Sequence, residues 1–118
     1  YLLSSIFSEG SKRGMSYNYM AELLCWNPAQ RFGLWEKGDI ALGYDADLVI
    51  LDPDETFVVS AAESQSQQGY TPFEGMELTG RIKNTFLRGN LIYDHGKVIG
   101  SPSGKYLKRP YGKVQPSV

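Results

Sequence analysis

The sequence predicts an α+β fold in which short helices come first and a β-rich unit with hairpins follows. Three observations predict it. Apolar residues recur at helical spacing up to Gly33, β-branched and aromatic runs take over after it, and glycine-bearing turn pairs punctuate those runs.

The first helix is expected over Leu2, Leu3, Ile6 and Phe7, which share one face, with Gly10 as its stop. Ser16 has the side chain of an N-cap and opens a second helix, in which Met20, Leu23 and Leu24 share a face while Glu22 points outward. A third short helix is expected at Asn27-Pro28-Ala29-Gln30. There Asn27 caps, Pro28 sacrifices no hydrogen bond in the first turn, Gln30 completes a capping box, and Gly33 supplies a left-handed stop.

Beyond Gly33 the stretch from Ala46 to Leu51 is apolar on both faces and reads as a central strand covered on two sides. Pro53 and Asp54 end it, and Thr56 to Val59 restart strand-like sequence. Ser60 to Gly69 is too poor in large apolar groups to carry a core and reads as a surface connection, which extends over 60–80. Ile82 to Arg88 and Leu91 to Asp94 form a hairpin about Gly89-Asn90, a pair that tolerates positive φ. Asp94-His95-Gly96 turns the chain into Lys97-Val98-Ile99. From 101 to 118 a Pro-, Gly- and Lys-rich tail is expected to lie on something else. The organisation expected is therefore 1–33 helical, 34–100 β-rich and 101–118 tail.

Composition narrows the function classes. Twelve basic residues against thirteen acidic leave a net charge of −1, so no strong field invites nucleic acid or a membrane surface. No apolar run approaches the roughly 20 residues of a membrane helix, and no signal-peptide pattern is present. The single cysteine, Cys25, excludes an internal disulfide and fits a reducing compartment, the cytoplasm. The chain opens on Tyr1, already inside an apolar helical pattern, which reads as a piece of a longer protein.

Few side chains offer chemistry. Asp45 and Asp47 stand two apart, so on a strand both leave one face, as a metal pair or an acid/base pair requires. Against this, Gly43-Tyr44-Asp45 is turn sequence in which Asp45 bonds backbone amides and Asp47 caps the strand edge; local turn chemistry accounts for every residue. His95 is the only histidine and sits in a turn, so a histidine-rich zinc site cannot be assembled, and stoichiometric zinc binding by these residues is not expected. Cys25 falls beside an apolar helix face, as inert core cysteines do, and a Cys25/His95 nucleophile pair has no further support. Lys105, Lys108, Arg109 and Lys113 interleave with Tyr106 and Tyr111 in the pattern of a single-strand-binding groove, but a docked tail with snorkelling lysines suits the balanced charge better. No catalytic, cofactor-binding or metal residue is assigned.

The segments NPAQRFGL and KGDIALGYDADLVILD together resemble the C-terminal junction of cyclic amidohydrolases. TPFEG, GRIKNTFLRGNLIYDHGKVI and PSGKYLKR resemble the ending shared by allantoinases, hydantoinases and dihydroorotases, and their spacing is most similar to the bacterial allantoinase branch. The resemblance implies an α+β fragment: the last helices of a metal-dependent (β/α)8 barrel, followed by part of a small β-sandwich. It implies that the chemistry sits upstream, on a divalent metal pair, zinc, bridged by a carbamylated lysine, with histidines and a catalytic Asp that match no position here. The longer enzyme would attack a ring amide with a metal-activated hydroxide, opening allantoin to allantoate. It also implies a homotetramer, and a segment whose partner is the upstream part of its own chain. Hydantoinase, dihydropyrimidinase and dihydroorotase activities are the alternatives within the group. A stand-alone β-rich binding module using Asp45, Asp47 and the basic tail is the alternative of another class.

Overall fold

The computed structural model describes residues 1–108. Helix α1 spans Leu2–Lys12, α2 spans Tyr17–Ala21, a single π-helical turn follows at Glu22–Trp26, and α3 spans Asn27–Phe32. Strands β1 (Leu48–Val58), β2 (Glu77–Leu87), β3 (Asn90–Asp94) and β4 (Lys97–Val98) form one antiparallel sheet in the order β1-β2-β3-β4. A short 3₁₀ turn, Ala61–Glu63, lies between β1 and β2.

Gly10 does not stop α1. The helix runs through it to Lys12, and Gly10 packs closely against two methionines: a Cβ there would lie 2.9 Å from Met20 Cε and 3.2 Å from Met15 Sδ. Gly14, at φ +77°, turns the chain instead. Ser16 caps α2 as expected, its Oγ accepting the Tyr19 N–H at 3.2 Å. Asn27 caps nothing. The backbone is right-handed helical through Trp26 and Asn27, so α2, the π turn and α3 form one continuous helical run in which a cap has no place. The π turn also breaks the expected face, leaving Met20 buried at 4% exposure while Leu23 is 39% exposed. Gly33 does end the run, at φ +67°, with the Leu34 N–H donating to Ala29 O at 2.8 Å.

The strand expected at the centre of the sheet stands at its edge. β1 pairs only with β2, whereas β2 is flanked on both sides by β1 and β3. β1 also continues past Pro53, which lacks the N–H a central strand needs but is tolerated at an edge where the register shifts between Asp52 and Thr56. Inside that irregularity Asp52 Oδ1 accepts the N–H groups of Asp54 and Glu55 at 3.0 and 3.2 Å. β2 begins at Glu77 rather than Ile82, so the connection between strands ends sooner than expected. The early part of β2 carries Glu77 and Gly80, both disfavoured in strands, and is held by tertiary contact.

That contact is the core. α1 packs on β2, with Leu78, Val59, Phe7, Met20 and Ala29 the buried apolar side chains. The Phe7 ring lies against Tyr17 with centroids 5.1 Å apart. Buried Ser8 accepts the Thr79 N–H through Oγ at 3.1 Å, satisfying a strand donor from the helix side.

The β2–β3 turn is centred on Arg88-Gly89, one residue earlier than expected, with φ +47° and +79°. Leu87 pairs with Asn90 across it, the geometry of a two-residue type I′ hairpin. His95 and Gly96, at φ +43° and +92°, form the second such turn. Tail residues 101–108, with Lys105, Tyr106 and Lys108, are exposed in this chain. Arg109, Tyr111 and Lys113 lie outside the described residues.

Candidate functional site

The loop from Leu34 to Asp47 joins the helical run to the sheet, and two contacts position it. At one end Gly38 sits on the helices: a Cβ there would be 2.6 Å from both Cys25 O and Ala29 Cβ. At the other end the Asp45 N–H donates to Glu36 O at 2.9 Å, closing the loop on itself. Lys37 thereby meets both carboxylates singled out by the sequence. Its Nζ lies 2.6 Å from Asp45 Oδ2 and donates to Asp47 Oδ2. Asp47 Oδ1 accepts the Arg88 N–H at 2.7 Å, and the Gly89 N–H donates to Ala46 O at 2.9 Å.

Asp45 and Asp47 do converge, then, but on an ammonium group. Burial works against the charged form of Lys37, yet the hydrogen bonds it donates to Asp45 and Asp47 outweigh it and raise its pKa above the usual lysine value. Burial likewise opposes charge on Asp47, and the Lys37 and Arg88 donors outweigh it, holding the carboxyl below the usual range. A carboxylate saturated by an ammonium and a backbone N–H is poorly placed to take a proton or a metal. The pair ties the loop to the β2–β3 turn.

His95 Nδ1 lies 2.5 Å from Asp94 Oδ1, and the same oxygen accepts Asn84 Nδ2 at 2.8 Å. The His95 hydrogen bond is the main cause that lowers the Asp94 pKa. The imidazole thus faces Asp94, not Cys25. Cys25 is exposed on the π turn rather than inert in a core, since the extra residue of that turn carries it off the apolar face. Among the described residues no three His, Cys, Asp or Glu side chains come together to hold a metal ion.

A concavity of about 1040 Å³ is a trough whose walls include Tyr1, Phe57, Leu87, Ile92 and the segment 100–104. Tyr1 Oη closes one end by donating to Ser60 O at 2.8 Å. Burial first, then the Glu63 and Glu74 carboxylates, push its hydroxyl pKa up. The trough is mainly apolar, with Arg81 stacked 5.2 Å from the Phe57 ring centroid at its rim. Sequence reasoning missed Lys37, whose ammonium holds both loop carboxylates, and Arg88, whose backbone N–H holds Asp47. Nothing local marks them, because their partners lie 8 and 10 residues away for Lys37 and 41 away for Arg88.

The model of the amidohydrolase family matches residues 2–92. The chain is 39% identical over 98 residues to the allantoinase of Deinococcus radiodurans, covering 83% of this chain and 21% of that protein. It is 40% identical over 116 residues to the D-hydantoinase of Geobacillus stearothermophilus, covering 95% of this chain and 25% of the relative. Among solved structures, a D-hydantoinase superposes with a TM-score of 0.86 at 35% identity, over 91% of this chain and 24% of that one. The L-hydantoinase of Arthrobacter aurescens superposes with a TM-score of 0.78 at 36% identity, over 83% of this chain and 22% of that one. The chain spans a quarter or less of the length of each of these relatives.

Proposed function

The chain belongs to the amidohydrolase family, and from that premise we propose that it is the C-terminal segment of an enzyme that opens a cyclic amide by hydrolysis. The observation that carries this is the identity of 39–40% to proteins named allantoinase and D-hydantoinase over most of this chain. Allantoin, opened to allantoate in purine catabolism, is the first substrate reading, since the spacing of TPFEG to GRIKNTFLRGNLIYD is most similar to allantoinases. Hydantoins are the second, favoured by the superposition on hydantoinases.

In this reading residues 1–33 are the last helices of the barrel, 34–100 part of a β-sandwich, and 101–118 a tail. The segment is structural, with no catalytic, cofactor or metal residue of its own. The family's zinc pair does not fit the residues present: Asp45 and Asp47 are engaged by Lys37, and His95 by Asp94. The enzyme is proposed to be a cytoplasmic homotetramer; no helix among the described residues is long and apolar enough to cross a membrane.

The test is to express the full reading frame that contains these residues, supply zinc, and compare ring opening of allantoin, hydantoin, dihydrouracil and dihydroorotate. Allantoin turnover at least about tenfold above the others is expected, a margin worth about 1.4 kcal/mol in the barrier. Preference for hydantoin or dihydrouracil would move the assignment to the second reading. Failure to open any of the four rings would overturn both.

A further inference from the structure

We propose that the tip of the β2–β3 hairpin is a two-sided latch, through which the loop carboxylate Asp47 and the side chain of Arg88 together hold the C-terminal segment 99–104 against the trough. One side of the latch is backbone. Arg88 sits at φ +47°, a conformation uncommon for a long side chain, and its N–H is held by Asp47 Oδ1 at 2.7 Å while the neighbouring Gly89 N–H donates to Ala46 O at 2.9 Å. The other side is the guanidinium. Arg88 Nη2 donates to Ser103 O at 2.5 Å.

The segment has little else to hold it. Ile99 is tied by its N–H to Ile92 O at 2.9 Å, after which the Arg88 contact is the one hydrogen bond that residues 100–104 make among the described residues. Those residues nevertheless line the apolar trough together with Phe57, Leu87 and Ile92. An arginine free to rotate about a loose turn would lose much of its grip, because ordering its side chain costs entropy. Asp47 fixes the backbone from which the guanidinium reaches Ser103 O. Release of Asp47 therefore loosens the tail, although Asp47 touches no tail residue.

Cleavage after Lys105 by a lysine-specific endoprotease reads the latch, since the protease must take Ser103 into its cleft and away from Arg88. In the full-length protein, the rate of release of the product beginning at Tyr106 tracks the population of the open tail. Arg88→Gly keeps the positive φ without strain and removes the side chain with its guanidinium, so it is expected to raise that rate about fivefold. Asp47→Ala, with Arg88 intact, is expected to raise it about threefold, and the double variant to be no faster than Arg88→Gly alone, as two changes in one device must behave. Wild-type cleavage in Arg88→Gly would overturn the latch. A double variant whose rate is the product of the two single effects would overturn the coupling to Asp47.

Discussion

Replacing Gly80 by alanine tests the packing that holds the helical part to the sheet. Gly80 lies in β2 at φ +105°, and a Cβ there would stand 2.3 Å from Phe7 Cδ1, 3.0 Å from Cε1 and 3.1 Å from Cγ. The ring cannot simply step aside, because Phe7 is buried and packed on Tyr17. Two costs follow: about 1–3 kcal/mol for a side-chain-bearing residue in that backbone region, and about 1–3 kcal/mol for overpacking. Their sum centres near 4 kcal/mol, and partial relaxation of the backbone brings the expected loss to about 3 kcal/mol. At about 1.4 kcal/mol per factor of ten, β2 amides should exchange with solvent roughly 100-fold faster. The assay is hydrogen exchange by mass spectrometry on the peptide covering β2 in the full-length protein. Adding Phe7→Leu should recover about 1 kcal/mol or more of the loss, since it makes room for the methyl but leaves the backbone strain. Exchange of β2 within twofold of wild type in the single variant would refute the reasoning.

Two further perturbations follow from the same contacts. Ser8→Ala removes the buried acceptor of the Thr79 N–H and should cost about 1–3 kcal/mol, read as faster exchange at Thr79; unchanged exchange there would show that another group accepts the bond. Lys37→Met leaves Asp45 and Asp47 facing each other without their cation and should cost about 1–2 kcal/mol near neutral pH, discounted for partial solvent screening. Because the folded pKa of Asp47 is depressed, its contribution is present above the unfolded carboxylate value near 4 and lost as pH falls through the lower folded value. The raised pKa of Lys37 makes its contribution complete below about 10.4 and lost only as pH rises through the higher folded value. The gap between wild type and Lys37→Met, measured by urea unfolding monitored at several pH values, should therefore be widest between these limits and shrink outside them. A gap independent of pH would show that packing of the Lys37 stem, not its charge, carries the effect.

Local chemistry was readable where it depends on near neighbours. Ser16 caps because its own hydroxyl reaches a donor three residues on, and Gly33 ends a helix because it alone tolerates the left-handed turn. The I′ turns at Arg88-Gly89 and His95-Gly96 left their glycines in view, although the first was displaced by one residue because Arg88 itself takes the positive φ. Asn27 carried a convincing cap pattern and failed, since a capping side chain matters only where the backbone stops being helical, and the π turn carries the helix through that point. The family was legible too, because the run from NPAQRFGL through GYDADLVILD keeps both residue types and spacing.

By itself, the sequence determined the order of helices before strands, the turn glycines, the Ser16 cap and the family to which the chain belongs. The tertiary structure alone decided which strand is central, why Gly10 and Gly80 are glycines, and what Asp45 and Asp47 do. The apolar run of β1 promised a strand with two covered faces, but burial of a face says nothing about which edges are paired, and pairing with β2 on one side only makes β1 an edge. Gly10 reads as a helix stop and Gly80 falls at the end of the expected surface connection, until Met20 and Phe7 are seen to fill the space where their side chains would be. Asp45 and Asp47 read as turn residues, with a metal pair as the lesser alternative, and the partners that hold them, Lys37 and the Arg88 N–H, appear only in the fold. A charge's role is set by the partner it meets across space, and that partner is chosen by the fold.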